Sequence, residues 1–107
     1  MDFVYVKDVA RANISALLAE VSDEVFNVGN CEETSLKQLL ETLLRVNDSK
    51  LTPEFREENT VNPVNRRLAN NRKAKRQLNF EPSVALEEGL KELSQWYFEK
   101  KTISRVN

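Results

Sequence analysis

The order of apolar and polar residues predicts a strand, a helix and a second strand at the start of the chain. Residues 3–6 are β-formers, and Asp8 can cap a helix that begins at Val9 by accepting from exposed backbone amides. Apolar residues then recur on one helical face, at Ala10, Ile14, Leu17, Leu18 and Val21. The apolar run 25–28, which ends in Gly29, predicts a strand central in a sheet. This order is typical of a β-α-β unit and indicates an α/β fold.

Three further helices are predicted behind this unit, so that short strands are combined with about four helices. Their caps are Ser35, in a capping box with Gln38, then Asn70 or Asn71, then Ser83. Their inward faces consist of Leu36, Leu39, Leu40, Leu43 and Leu44, then Ala74 and Leu78, then Leu86, Leu90, Leu93 and Trp96 or Tyr97. The first of these helices should end near Asn47. Gly89 within the last helix suggests close packing against a neighbour.

The connection between the leucine-rich helix and the basic helix lacks a regular pattern. Pro53 restricts residues 51–55 to an edge strand, and residues 56–65 are predicted to form an extended loop. Loops of that length in a compact domain are often functional. The final residues, from Glu99 onwards, show little pattern and are expected to fray. The chain is thus predicted to be a single domain, 1–107, divided into residues 1–31, residues 32–100 and a frayed tail at 101–107.

Composition narrows the functional classes. With 31% charged and 40% apolar residues, the chain resembles an ordered globule. It contains neither a membrane span nor a secretory signal, and Cys31 has no internal disulfide partner, so a cytoplasmic location is expected. The absence of histidine removes the commonest general base and metal ligand, and no metal site is predicted. The net charge of −1 gives no overall attraction to nucleic acid.

Basic residues follow the predicted loop closely, at Arg66, Arg67, Arg72, Lys73, Lys75 and Arg76. Guanidinium groups can bind a diphosphate bidentately, whereas basic residues on a helix more often form a solvated face. A solvated face is the favoured interpretation for Arg72, Lys73, Lys75 and Arg76. For Arg66 and Arg67, both a diphosphate site and a solvated face stay open. Nucleic-acid binding is disfavoured because acidic residues, at Glu54, Glu57 and Glu58, lie nearby in the sequence.

Three separated segments carry a family resemblance. Residues 2–10, Asp-Phe-Val-Tyr-Val-Lys-Asp-Val-Ala, are similar to a "RDFVYVDDVA" segment, and residues 25–29 to a "VFNVG" strand. Residues 68–97 are similar to a terminal "LADxSKAxxxLGW…LEEGL…WY" pattern. Together they resemble the extended short-chain dehydrogenase/reductases that act as NAD-dependent nucleotide-sugar epimerases and dehydratases.

The resemblance implies the C-terminal portion of a Rossmann-type enzyme. Residues 1–31 would end the cofactor domain, and residues 32–100 would form the small substrate domain. In the family, the cofactor-binding glycines and the catalytic Tyr-x-x-x-Lys pair lie upstream of the matching region. The resemblance therefore implies no catalytic and no cofactor-binding residue on this chain, no activity for the chain alone, and a missing N-terminal domain as its partner.

The resemblance also suggests that a nucleotide-diphosphate sugar binds Arg56, Arg66 and Arg67. Met1 stands where the family has a diphosphate-contacting arginine, and Asn70 replaces the carboxylate of "LAD". Many members of the family have a second diphosphate-contacting arginine in this loop. Arg56 lies a few residues from that position, so the two do not align. The identity of the sugar and of the nucleotide, and the choice between epimerisation and dehydration, stay open.

A second hypothesis is a non-catalytic interaction module, which binds a protein partner or the missing half of its own enzyme. An isolated copy would leave apolar faces uncovered, and self-association commonly hides such faces. A homodimer, or a rearranged packing of the first strand and helix, is therefore expected.

Overall fold

The computed structural model describes residues 1–56 and 66–104, with side chains as far as Lys101. The four helices are α1 (Val6–Leu18), α2 (Leu36–Val46), α3 (Arg72–Leu78) and α4 (Leu86–Ser104). Helix α1 packs against α3, and α2 packs against α4. None of these helices has the length and apolar content needed to cross a membrane, a finding restricted to the described residues.

No strand forms in the described part of the chain, although three were predicted. Segments 3–5, 25–28 and 51–55 have irregular backbone, and the predicted β-α-β unit is therefore not confirmed. A strand needs a neighbouring strand to receive its backbone hydrogen bonds, and β-propensity alone does not supply one. Met1 and Thr34 do exchange two backbone hydrogen bonds of 2.8 Å, but this contact does not extend into a ladder.

A small apolar core lies between α1 and α3. It consists of Ala12, Ala74, Leu78 and Phe80, all buried, with Phe26 and Val28 among the residues packed around them. The alanines at the helix contact allow a close approach, and burying Phe80 contributes roughly 1.5–3 kcal/mol. Two features of the sequence are confirmed here: Ala74 and Leu78 do face inward from α3.

Helix α1 differs from its prediction at its start and in its buried face. It begins at Val6 instead of Val9, and its N-cap residue, Tyr5, makes no side-chain cap hydrogen bond. Asp8 therefore lies inside the first turn, and its assignment as the cap was wrong. The helix buries Asp8 and Ala12, whereas the predicted apolar face is largely exposed, as for Leu17 at 83%. Periodicity shows that a helix has an apolar face but not which element covers it.

Helix α2 confirms the capping box. The Ser35 hydroxyl accepts from the Gln38 amide at 3.1 Å, and the Gln38 side chain accepts from the Ser35 amide at 2.8 Å. The helix ends at Val46, with Asn47 as its C-cap residue. The signal was reliable because both partners of the cap are local in sequence.

Helix α4 begins three residues later than the assigned cap, Ser83. The Ser83 hydroxyl instead donates to Asp8, so that prediction was wrong. The helix continues to Ser104. Trp96, predicted as a core residue, is 55% exposed. Close packing at Gly89 is confirmed, because a Cβ there would lie 3.1 Å from Cδ2 of Tyr5.

Candidate functional site

The Asp2 carboxylate joins three separate segments of the chain. It accepts from the backbone amides of Asn30 at 2.7 Å, Cys31 at 3.1 Å and Ala69 at 2.9 Å. Each of these hydrogen bonds involves a charged acceptor, which makes it stronger than a neutral one. We call this set, with Gly29, the Asp2 junction. It connects the chain start, the loop after Gly29 and the segment that leads into α3.

Asn71 reinforces the junction from the buried side. Its side-chain amide donates to the Gly29 carbonyl at 2.5 Å, and its carbonyl oxygen accepts from the Gly29 amide at 3.1 Å. An amide side chain is suited to this pairing because it offers a donor and an acceptor together. A Cβ on Gly29 would lie only 2.4 Å from Cβ of Ala69, so the two segments approach as closely as their atoms allow. The sequence interpretation assigned Asn71 only as a possible helix cap and missed this role.

Arg66 lies next to the junction and is engaged by a carboxylate. Its Nε lies 2.9 Å from both carboxylate oxygens of Glu33, and Nη2 lies 2.7 Å from Oε2. The Arg66 side chain is largely exposed and that of Glu33 is partly exposed, so the pair is accessible to water and to anions, and its contribution to stability is small. The Arg66 guanidinium thus contacts both oxygens of one carboxylate.

The other two predicted arginines are placed differently. Arg56 pairs with Glu54 at 2.9 Å through Nε and 3.2 Å through Nη2. Arg67 is exposed at the surface. Glu57 and Glu58 lie outside the described residues, as does the loop segment 57–65.

The basic face of α3 is solvated, as predicted, for Arg72, Lys75 and Arg76. Lys73 is half-buried and pairs with Glu24 at 2.5 Å, while its ammonium lies 5.0 Å from the Phe26 ring centroid. Its role is therefore to hold the segment before Gly29 against α3.

A surface groove of 750 Å³ opens beside the Asp2 junction. Its lining includes Cys31, Asn70, Arg72, Lys75 and the turn at 80–82. Grooves of this size accommodate small organic ligands, and two cationic side chains favour an anionic one. The carboxylate of Glu81, which pairs with Lys75, works against such a ligand.

The buried carboxylate of Asp8 fixes the start of α4. It is 2% exposed and accepts from the Ser83 amide at 3.0 Å, the Val84 amide at 3.1 Å and the Ser83 hydroxyl at 2.9 Å. Arg11 donates to it at 2.5 Å and also to the Glu81 carbonyl at 2.8 Å. Burial acts to raise the pKa of Asp8, but the hydrogen bonds from Arg11, Ser83 and Val84 outweigh it and lower the pKa to about 2. The carboxylate therefore has a positioning role.

Tyr5, Lys7 and Glu92 form a second cluster, where the start of α1 meets the first half of α4. The Tyr5 hydroxyl donates to Glu92, and the Lys7 ammonium lies 2.6 Å from the same oxygen. The hydrogen bond to Glu92 raises the pKa of Tyr5, because it favours the neutral phenol. The hydrogen bond from Lys7 lowers the pKa of Glu92. A phenol held neutral in this way is not poised to act as a base.

One Tyr-x-x-x-Lys spacing, at Tyr97 and Lys101, was missed by the sequence interpretation. Both residues lie on α4, where positions four apart share a face, and the Lys101 ammonium lies 5.3 Å from the Tyr97 ring centroid. Tyr97 belongs to the terminal "WY" pattern of the family resemblance, downstream of where the family places its catalytic pair. The contact is an exposed cation–π interaction. The described residues also hold no cluster of three metal-ligating side chains.

Comparison with known proteins shows that the chain is similar to part of several nucleotide-sugar enzymes. The UDP-glucose 4-epimerase of Thermotoga maritima, solved with UDP-glucose, has a TM-score of 0.83 and 38% identity, covering 94% of this chain and 32% of that one. The UDP-glucuronate 4-epimerase of Thermodesulfobacterium geofontis is 34% identical over 96 residues, 89% of this chain and 29% of that protein. UDP-glucuronic acid decarboxylase 1 of Arabidopsis thaliana is 38% identical over 88 residues, which are 82% of this chain and 20% of that protein. No family model matches.

The matches are extensive for this chain and partial for its relatives. The chain spans between 20% and 32% of the length of those three proteins. The structural neighbours are Rossmann-type epimerases, although the described part of this chain contains helices alone. The resemblance first noted in residues 2–10, 25–29 and 68–97 is confirmed. By sequence and by fold, the chain is homologous to part of the NAD-dependent nucleotide-sugar epimerases and dehydratases of the short-chain dehydrogenase/reductase family.

Proposed function

We propose that the chain is the C-terminal, substrate-binding portion of an NAD-dependent nucleotide-sugar epimerase or dehydratase. The observation that carries the proposal is the 38% identity to an epimerase solved with UDP-glucose, over 94% of this chain. The sequence has neither Gly-x-x-Gly-x-x-Gly nor Gly-x-Gly-x-x-Gly, so it offers no site that fits NAD, and no redox step is assigned to it. The proposed contribution of this chain is to bind and orient the nucleotide sugar, without activity of its own.

The diphosphate of that ligand is assigned to Arg56, Arg66 and Arg67. Among them, Arg66 has the strongest structural support, since its guanidinium already makes a bidentate contact with two carboxylate oxygens. Two phosphate oxygens present a similar acceptor geometry. The amide of Ala69, three residues later, is held by Asp2, which fixes the backbone near Arg66. The ligand would therefore meet an arginine whose main chain is positioned in advance.

Replacing Arg66 with Ala should weaken UDP-glucose binding by about tenfold or more, because it removes a charge-assisted contact worth roughly 1.5–3 kcal/mol and also releases Glu33. Titration with UDP-glucose, with and without NAD, followed by NMR, measures the effect. Arg76→Ala is the matched control, since Arg76 is an exposed arginine on α3. The absence of any shift at Arg56, Arg66 and Arg67 at millimolar UDP-glucose would contradict the proposal.

The partner we propose for α1 is a cofactor-binding domain of the kind found in the longer relatives. Val6, Ile14, Leu17 and Leu18 are exposed on this helix, and contiguous apolar faces of this kind mark interaction sites. Full-length relatives would cover the face with parts that this chain does not span. The proposal predicts that a separately produced cofactor domain with a glycine motif binds this chain through α1.

The alternative function is a non-catalytic interaction module, and the same exposed face supports it. In that case the exposed α1 faces of two copies pack against each other in a homodimer. Light scattering should then give twice the mass of 12.4 kDa, and Leu17→Glu should weaken the dimer by about tenfold or more, given the roughly 1.5–3 kcal/mol that burying a leucine contributes. Gln77→Glu, which adds the same negative charge at an exposed position on α3, is the control. A strictly monomeric, folded protein at high concentration would exclude the dimer.

We also propose a cytoplasmic location. The thiol of Cys31 is free and exposed, which suits a reducing compartment.

A further inference from the structure

The ion pair between Glu33 and Arg66 places a carboxylate where a ligand anion would bind. We propose that Glu33 is an internal competitor for Arg66, which sets the affinity of the site for a diphosphate. The inference rests on the proposed function, because it concerns the same arginine. It differs from that function in assigning a role to an acidic residue that no ligand needs to contact.

Both ends of the ion pair are held by the same junction. Glu33 lies between Cys31, whose amide donates to Asp2, and Thr34, which exchanges two backbone hydrogen bonds of 2.8 Å with Met1. Arg66 lies three residues before Ala69, whose amide donates to the same Asp2 oxygen. The two side chains therefore meet across segments already fixed to each other. Pre-organisation of this kind reduces the entropy lost when the pair forms.

The geometry makes the contact a direct substitute for a bound anion. Glu33 receives three contacts from one guanidinium, at 2.7–2.9 Å. These are the donors that would serve two phosphate oxygens, so ligand and Glu33 cannot both occupy them. The Glu33 side chain is 43% exposed, and it can turn into solvent without leaving a buried charge. Displacing Glu33 from Arg66 therefore requires little free energy, but every anionic ligand of Arg66 must displace it.

The test compares Glu33→Gln with Glu32→Gln. Both substitutions remove one negative charge from adjacent exposed positions, but only the first removes the competitor of Arg66. UDP-glucose should bind Glu33→Gln about threefold more tightly than wild type or Glu32→Gln, the size expected for an exposed ion pair. Uridine, which lacks the diphosphate, should bind all three proteins equally. In the unliganded Glu33→Gln protein, the Nε–H resonance of Arg66 should also move away from its wild-type position.

The outcomes separate the inference from the proposed function. If wild type binds UDP-glucose and Glu33→Gln binds it no more tightly than Glu32→Gln, the inference fails and the proposed function stands. If Glu33→Gln alone shows measurable binding, the competitor role is supported in its strongest form. If none of the three proteins binds UDP-glucose, the proposed function fails and the inference fails with it. Circular dichroism of both variants confirms that the comparison is made between folded proteins.

Discussion

Replacing Asp8 with Asn should lower the free energy of unfolding by about 3 kcal/mol, the lower end of the range for breaking a buried ion pair. The carboxylate accepts from two backbone amides, one hydroxyl and one guanidinium, and Asn can accept from only some of these donors. We place the cost at the lower end because the Arg11 side chain is 46% exposed and can recover hydration. Asp8 links α1 to the start of α4, so its loss should loosen the contact between the two helix pairs.

Urea denaturation followed by circular dichroism measures this loss. Glu20→Gln is the matched control, since Glu20 is an exposed carboxylate just beyond the end of α1. The control should change the unfolding free energy by less than about 0.5 kcal/mol. A similar stability for Asp8→Asn and Glu20→Gln would show that the hydrogen bonds of Asp8 do not stabilise the fold.

The same carboxylate predicts how stability changes in acid. The pKa of Asp8 is about 2 in the folded protein and 3.8 as a free side chain, so folding favours its ionised form. Its contribution is fully present above about pH 5 and is lost progressively as the pH falls through about 2, with a total of about 2 kcal/mol. Glu92, whose pKa is lowered chiefly by Lys7, loses its contribution in acid as well. The difference between wild type and Asp8→Asn across this pH range isolates the Asp8 part.

The sequence predicted helices better than it predicted what surrounds them. The capping box of α2 and the inward residues of α3 depend on neighbours a few positions away, and both were correct. The strands were not found, because a strand depends on a partner whose position no local pattern encodes. The cap roles of Asp8 and Ser83 failed for a related reason. These two residues are bonded to each other across 75 positions, and either one alone resembles a helix cap.

In the candidate site, too, local sequence identified a residue but not its long-range contacts. Basic residues near the loop identified Arg66 as a candidate, but its pairing with Glu33 joins positions 33 residues apart. The Asp2 junction was also hidden, because one carboxylate binds the amides of residues near 30 and near 69. The family resemblance came from ordered segments and needed none of these contacts, which is why it could be recognised before the geometry was known.

Gly29→Ala should destabilise the protein by about 2 kcal/mol and weaken UDP-glucose binding in parallel, because overpacking a well-packed position typically costs 1–3 kcal/mol. The added Cβ would lie 2.4 Å from Cβ of Ala69 and 2.7 Å from Oδ2 of Asp2. Neither atom can withdraw freely, since that oxygen accepts from the Ala69 amide. Relief of the clash must therefore separate the two segments that carry Glu33 and Arg66.

Gly89→Ala provides the control, because the two glycines differ in what an added Cβ would meet. At Gly89 the nearest atom is Cδ2 of Tyr5, 3.1 Å away, so a side-chain shift of a few tenths of an ångström would accommodate the added Cβ. Alanine is also favoured over glycine inside a helix by about 1 kcal/mol, so this variant should be neutral or slightly more stable. Thermal denaturation ranks the variants, and UDP-glucose titration measures binding. If Gly29→Ala is as stable as Gly89→Ala, the Asp2 junction accommodates the added Cβ and the predicted destabilisation is wrong. If it is less stable yet binds UDP-glucose as wild type does, the Asp2 junction does not position the arginine.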